Sequence, residues 1–126
     1  MANSKLIIEK NGIKVNETSD DKGMWALSDI LSRRDFILYK RSDILQDLKE
    51  KKFNEYIYLD CGLKAISDKY FLLFNPEFED DLDYRLIVPQ NAFWQLLDKY
   101  DKAVSTNWKK ITIDFDGKKF DLKIEH

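Results

Sequence analysis

Two charged stretches and one tryptophan hold most of the residues here whose types and spacing could do chemistry. The first stretch is Glu77, Phe78, Glu79, Asp80, Asp81, Leu82 and Asp83, five acids set around two apolar side chains. Such a run could hold a cation or meet a cationic surface. Calcium of the EF-hand kind is excluded by pattern. That loop needs a glycine at its sharp turn and a bidentate glutamate at its twelfth position, and neither is present. What remains is an anionic contact surface for a basic or nucleic-acid-binding protein. Apolar anchors ringed by polar groups are the anatomy of an interface, and Phe78 and Leu82 fit that role. The competing structural reading is a solvated, self-repelling loop.

The second stretch is basic. Arg33, Arg34, Lys40, Arg41, Lys49, Lys51 and Lys52 fall within positions 33–52, seven cations against four acids. Guanidinium groups bind phosphate bidentately, so this region is the alternative binding edge, directed at nucleic acid. The competing structural reading, ordinary helix-end charge and surface solvation, is the stronger of the two. The net charge of −2 supplies no general attraction toward polyanions. Direct nucleic-acid binding is therefore the weaker expectation. Trp94 is the third candidate, an aromatic anchor. It follows Phe93 and lies about 100° further round a helix, so it flanks the main apolar stripe, either as an edge-of-core residue or as an exposed anchor.

Other chemistries lack their parts. Cys61 is the single cysteine and His126 the single histidine. Neither a disulfide, a zinc set nor a Cys-His or Ser-His-Asp arrangement can be assembled convincingly from them. Four glycines leave no phosphate-cradling loop, and no G-x-S-x-G or P-loop occurs. No metal, no cofactor and no enzymatic activity are expected. No apolar run approaches the roughly 18 residues of a membrane span. The start, Met1-Ala-Asn-Ser-Lys5, lacks a signal-peptide core, so the expected setting is cytoplasmic, with no membrane partner.

The elements that must position these residues are legible from periodicity. Ile111 to Phe115 and Phe120 to Ile124 alternate apolar and polar around Asp116-Gly117, the residues of a type I′ hairpin turn. A two-residue loop there would pair Ile113 with Phe120 and Ile111 with Leu122. Asn11-Gly12, read the same way, would pair Ile8 with Val15 and put Leu6 and Ile13 on one face. Met24 to Arg34 has helical spacing. Ser42 suits the N-cap of another helix, running to about Lys52, and Phe36 to Tyr39 fits either helix or strand. Tyr56–Leu59, Tyr70–Phe74 and Tyr84–Val88 read as strands, the middle one covered on both faces. Leu63–Ile66 fits a strand or a helical turn. Gln90 to Val104 is the strongest helix, with Phe93, Leu96, Leu97, Tyr100 and Val104 as its stripe.

Strands clustered in hairpins imply an α+β fold. The expectation is one domain over 1–126, with a mainly antiparallel sheet built from hairpins and about three helices packed largely on one face. The expected function is a small protein-binding module. Its best fit is a stand-alone inhibitor acting by surface contact, of the phage counter-defence or immunity-protein kind. The alternatives are a phage or bacterial nucleic-acid-binding regulator using region 33–52, and an enzyme of unrecognised type.

Overall fold

The computed structural model describes residues 4–78 and 84–126. The fold is α+β, with two four-stranded sheets and three α-helices. The strands are β1 (Ser4–Asn11), β2 (Lys14–Ser19), β3 (Glu55–Tyr58), β4 (Cys61–Ala65), β5 (Tyr70–Phe74), β6 (Arg85–Pro89), β7 (Lys110–Phe115) and β8 (Phe120–Glu125). The first sheet has the order β2-β1-β7-β8 and the second β3-β4-β5-β6. Every pairing is antiparallel. The hairpins thus divide between two sheets, joined through helices.

Helix α1 (Gly23–Ser32) explains the division. Met24, Ala26, Leu27, Ile30 and Leu31 are all buried on one broad side of the helix, while Trp25, Asp29 and Ser32 opposite are less buried. So wide an apolar side needs cover from more than one element. It packs on β1 of the first sheet and on β4, β5 and β6 of the second. Helix α3 (Gln90–Val104) likewise touches β8 and β6. The core therefore lies between the two sheets, with α1 and α3 inside it. Phe71 and Phe93 meet edge to face there, 5.4 Å apart.

Helix α2 (Arg34–Lys49) corrects the reading of region 36–42. Phe36 to Tyr39 is helical and Ser42 lies in mid-helix, not at an N-cap. Only Arg33 separates α1 from α2. Ile37 and Ile44, two turns apart, are the residues α2 buries. Two ion pairs tie it to α3: Arg34 to Asp101 and Arg41 to Asp98, each 2.9 Å. The higher-numbered arginine meets the lower-numbered aspartate, so the two helices run antiparallel.

Both hairpins differ in register from the pairings expected. At β7–β8, Phe115 pairs with Phe120, Ile113 with Leu122 and Ile111 with Ile124. The loop is four residues, and the Asp116 carboxylate organises it by accepting the Lys118 and Lys119 N–H groups at 2.8 Å. Gly117 supplies the positive φ, +94°. The register moves by two, so every side chain keeps its face. At β1–β2 the loop is Gly12-Ile13, with Gly12 at φ +63°. The loop moves one position along the chain and the register moves by two, so the residues of β2 keep their faces. Ile8 stands opposite Glu17 instead of Val15, and Ile13 is fully exposed. Glu17 is tolerated on the inner side because Ser28 of α1 donates to it.

Among the described residues, no helix is long and apolar enough to cross a membrane.

Candidate functional site

Strand alternation sends every second residue of β3–β6 inward, where Cys61, Leu63, Ala65, Phe71, Leu73 and Val88 are buried. The other set faces away from the helices. Registers place Glu55, Lys64, Leu72 and Ile87 in one row across the sheet, and Ile57, Gly62, Phe74 and Arg85 in the next. Tyr70, opposite Pro89, continues this surface, as does Ile66 just past β4. No helix lies on it among the described residues. Ile87 is 55% exposed and Ile57 46%. Tyr70–Phe74 is thus a central strand covered on one face only, where its apolar run implied two.

Phe74 stays buried on this open face because of Gly62. Its ring lies so close that a Cβ added at Gly62 would sit 2.7 Å from ring carbons. The glycine is needed here for space, not for its backbone angles. The result is a low, apolar surface. Four strands at about 4.8 Å and five residues at about 3.3 Å span roughly 19 by 16 Å. That is on the order of 300 Å² for the whole face, with Glu55, Lys64 and Arg85 included. Charge is sparse and partly self-cancelling, since Lys64 pairs with Glu55 at 3.7 Å.

Glu77 and Phe78, the described part of the acidic stretch, lie at the end of this surface where β5 leaves it. The stretch belongs to the β5–β6 connection, whose described parts are the 3₁₀ turn Pro76–Phe78 and Tyr84. Phe78 is half exposed and stacks on Tyr84, with ring centroids 5.0 Å apart. Glu77 and Phe78 therefore stand at the root of the connection. Glu79, Asp80, Asp81, Leu82 and Asp83 lie outside the described residues.

The basic region is spread out and internally paired. Arg33 meets Asp60 at 3.2 Å, Lys51 meets Asp68 at 3.9 Å and Lys52 meets Glu50 at 3.3 Å. Arg34 and Arg41 are occupied with α3, as described, and lie over the Tyr100 and Trp94 rings. Lys40 lies over Tyr39 and Lys49 is in the last turn of α2. These cations hold elements together more than they form one face. Trp94 is not an exposed anchor. It is 7% exposed, packed against Phe71 and Phe93 and covered by Arg41. The edge of the α3 stripe is closed by α2, which the helical period of α3 alone does not reveal.

A polar cluster missed in the sequence sits at the same end as the acidic connection. Asp29 of α1 accepts a hydrogen bond from Asn75 Nδ2 at 3.0 Å, and Asn75 Oδ1 accepts the Glu77 N–H at 2.9 Å. Burial, then the nearby Asp60 charge, pushes the Asp29 carboxyl up to about 6; Glu17 and Glu77 add to this and the Asn75 hydrogen bond opposes it. The same surroundings hold the buried Cys61 thiol protonated, its pKa raised to about 12 by burial first and then by Asp60 and Asp29. That removes it as a nucleophile. Nothing in the local sequence marks Asp29, because its neighbours come from three separate segments. Among the described residues, no group of three or more His, Cys, Asp or Glu side chains could hold a metal ion.

Neither a protein-family model, nor a curated protein, nor a solved structure matches this chain.

Proposed function

We propose that this protein is a binding module that acts through the outer face of β3–β6 on another protein, as an inhibitor of that partner. The observation that carries the reading is the exposed apolar surface formed by Ile57, Ile66, Tyr70 and Ile87 around the partly buried Leu72. Leaving such side chains in water forgoes roughly 25 cal/mol for each Å² that could be covered. The partner's chemistry follows from the border of this face. The connection entering at Phe74 and leaving at Arg85 carries five acids within positions 77–83. A protein with an apolar patch rimmed by lysine or arginine is complementary to it. The setting is the cytoplasm, where a lone thiol such as Cys61 stays reduced. Nucleic-acid binding through region 33–52 is less favoured, because phosphate would have to compete with Asp60, Asp98 and Asp101 for three of its arginines.

The test is a comparison of surfaces. Wild-type protein, Leu72→Lys, Ile87→Lys and a control on the other sheet, Thr112→Lys, are immobilised and exposed to lysate of the source cells. We expect one protein to be retained in stoichiometric amount by wild type and control, and lost from both face variants. Retention of the same proteins by all four would refute the reading. So would a wild-type dimer, measured by light scattering, that Ile87→Lys dissociates, because a second copy would then cover the face.

A further inference from the structure

We propose that the open edge of the second sheet takes an added strand: an extended, basic segment of the partner pairs antiparallel with β3 and lays its cationic side chains along α2. This rests on the proposed reading for there being a protein partner, and adds how that partner is held.

Two open sheets have four edges, and three of them here carry guards. β2 contains Lys14, β8 contains Lys123 and β6 closes on Pro89. Lysine and proline at an edge discourage another strand from pairing there. β3 has β4 on one side only, and its sequence, Glu55-Tyr-Ile-Tyr58, holds neither residue. Its single charge, Glu55, is met by Lys64. Tyrosine and isoleucine are residues that strands favour. The ladder shows which backbone groups are open. Ala65 N–H donates to the Asn54 carbonyl at 3.2 Å, so Asn54 turns its backbone toward β4. Hydrogen-bonded positions recur at every second residue of an antiparallel pair. Tyr56 and Tyr58 therefore do the same, and Glu55 and Ile57 present their N–H and C=O groups outward. Donors and acceptors set along an extended line are complementary to another extended backbone.

Helix α2 determines which side chains that backbone should carry. Phe36 packs on Tyr58, with ring centroids 5.1 Å apart. Toward the other end of both elements, Asp47 accepts from the Tyr56 hydroxyl and, at 3.2 Å, from Asn54 Nδ2. The helix thus runs antiparallel beside β3, on the side of the sheet toward which Tyr56 and Tyr58 point. An added strand would turn alternate side chains to the outer face, beside Ile57, and the others toward α2. On α2, Asp35, Tyr39 and Asp43 follow at four-residue spacing, so they form one row, and all three are exposed. Burial, then Asp47, and lastly Asp43 raise the pKa of the Tyr56 hydroxyl, which places Asp43 on the β3 side of the helix. Two carboxylates flanking an aromatic ring suit a lysine or arginine side chain. Lys40 already reaches the Tyr39 ring, 5.8 Å from its centroid. The fitting segment therefore alternates apolar residues, beside Ile57, with basic ones, beside α2.

NMR of the whole chain with a synthetic peptide of alternating lysine and valine tests this. In the free chain the Glu55 and Ile57 amides should exchange quickly, and those of Tyr56 and Tyr58 slowly. With peptide, we expect the Glu55 and Ile57 amides to gain severalfold protection, and the Tyr39 and Asp43 resonances to shift with them. A peptide of alternating glutamate and valine should bind severalfold more weakly, and Asp43→Asn, at an exposed position, should narrow that preference. Valine lies opposite Ile57 in the hydrogen-bonded register, so methylating the valine nitrogens should abolish protection, whereas methylating the lysine nitrogens should not. Failure of the lysine peptide to protect Glu55 and Ile57 would overturn the proposal. So would equal affinity for the two peptides, or indifference to which nitrogens are methylated. Protection already present in the free chain and lost on dilution would also overturn it, because a second copy would then occupy the edge. The peptide stands in for the cellular partner, so these outcomes are separate from the Leu72→Lys and Ile87→Lys comparison. A peptide that fails while those variants release the partner removes the edge and leaves the face.

Discussion

On the first sheet the strands turn Lys5, Thr112, Asp114 and Lys123 outward; on the second they turn Ile57, Leu72, Phe74 and Ile87 outward. Both sheets are antiparallel and both pack one face on the same core. The outer face of the first is finished for water, with Lys5 3.8 Å from Asp114 and Lys123 3.9 Å from Asp121. The outer face of the second has apolar side chains where solvent-facing strands normally carry polar ones. An inner face has to be apolar for the protein to fold. An apolar outer face contributes little to folding, so its composition points to contact with something else. The comparison separates residues kept for stability from residues available for recognition, within one chain and one strand geometry.

The largest effect should come from removing the solvent-finished sheet. Truncation after Asn107 deletes β7 and β8, and with them the buried Ile111, Ile113 and Phe115. Strand β1 would also lose its partner on that side. Fully burying a large apolar side chain contributes roughly 1.5–3 kcal/mol, against a typical total stability of about 5–15 kcal/mol. We expect no cooperative urea transition by circular dichroism. A truncated chain that unfolds cooperatively would show that the second sheet folds alone.

Gly62→Val strikes the recognition sheet where its outer face is best packed. The new side chain would displace the Phe74 ring, at a cost of about 1–3 kcal/mol. Urea midpoints compared with wild type measure it, and an unchanged midpoint would mean that Phe74 is not seated on Gly62.

In the first sheet, Gly117→Val should destabilise by about 1–2 kcal/mol through its positive φ, although nothing lies within 4 Å of the added Cβ. Lys118→Val should cost distinctly less. Equal melting temperatures for the two would show that backbone strain at Gly117 is not limiting.

Asp29→Asn should act in the opposite direction. The folded protein holds the Asp29 proton more tightly than the unfolded chain, at about 6 against 3.8. The stability conferred by this group is therefore fullest below about pH 4 and lost as pH rises through about 6. At pH 7 the asparagine variant should be more stable by on the order of 1 kcal/mol, after discounting for partial exposure. The gain should shrink toward pH 4, which thermal melts at pH 4.5 and 7.5 can check.

The smallest effect should be at Ile87→Thr, within about 0.5 kcal/mol for an outward surface position, whereas Ile113→Thr in the core should cost about 2 kcal/mol or more. A loss at Ile87 as large as at Ile113 would mean that the outer face is structural after all, and the contrast between the sheets would collapse.

Much of the local structure was already determined by the sequence. The helix Gln90–Val104 and the strand Tyr70–Phe74 follow from periodicity, because both patterns record which side of an element is buried. The β7–β8 hairpin was legible in its faces but not its loop length. A shift of two residues leaves alternation untouched, so patterning cannot see it. The β1–β2 register escaped for the same reason, since it too moved by two residues. Glu17, opposite Ile8, is met by Ser28 of α1, eleven positions away in the chain, a contact that alternation does not record. What the tertiary structure alone decided is the division of eight strands into two sheets around α1, the closure of Trp94 by α2, and the spending of Arg33, Arg34 and Arg41 on aspartates far away in sequence. It also decided which alternate residues of β3–β6 face water. An apolar strand run looks the same whether one face is covered or two, because cover is supplied by other segments, and only their packing shows where it is missing.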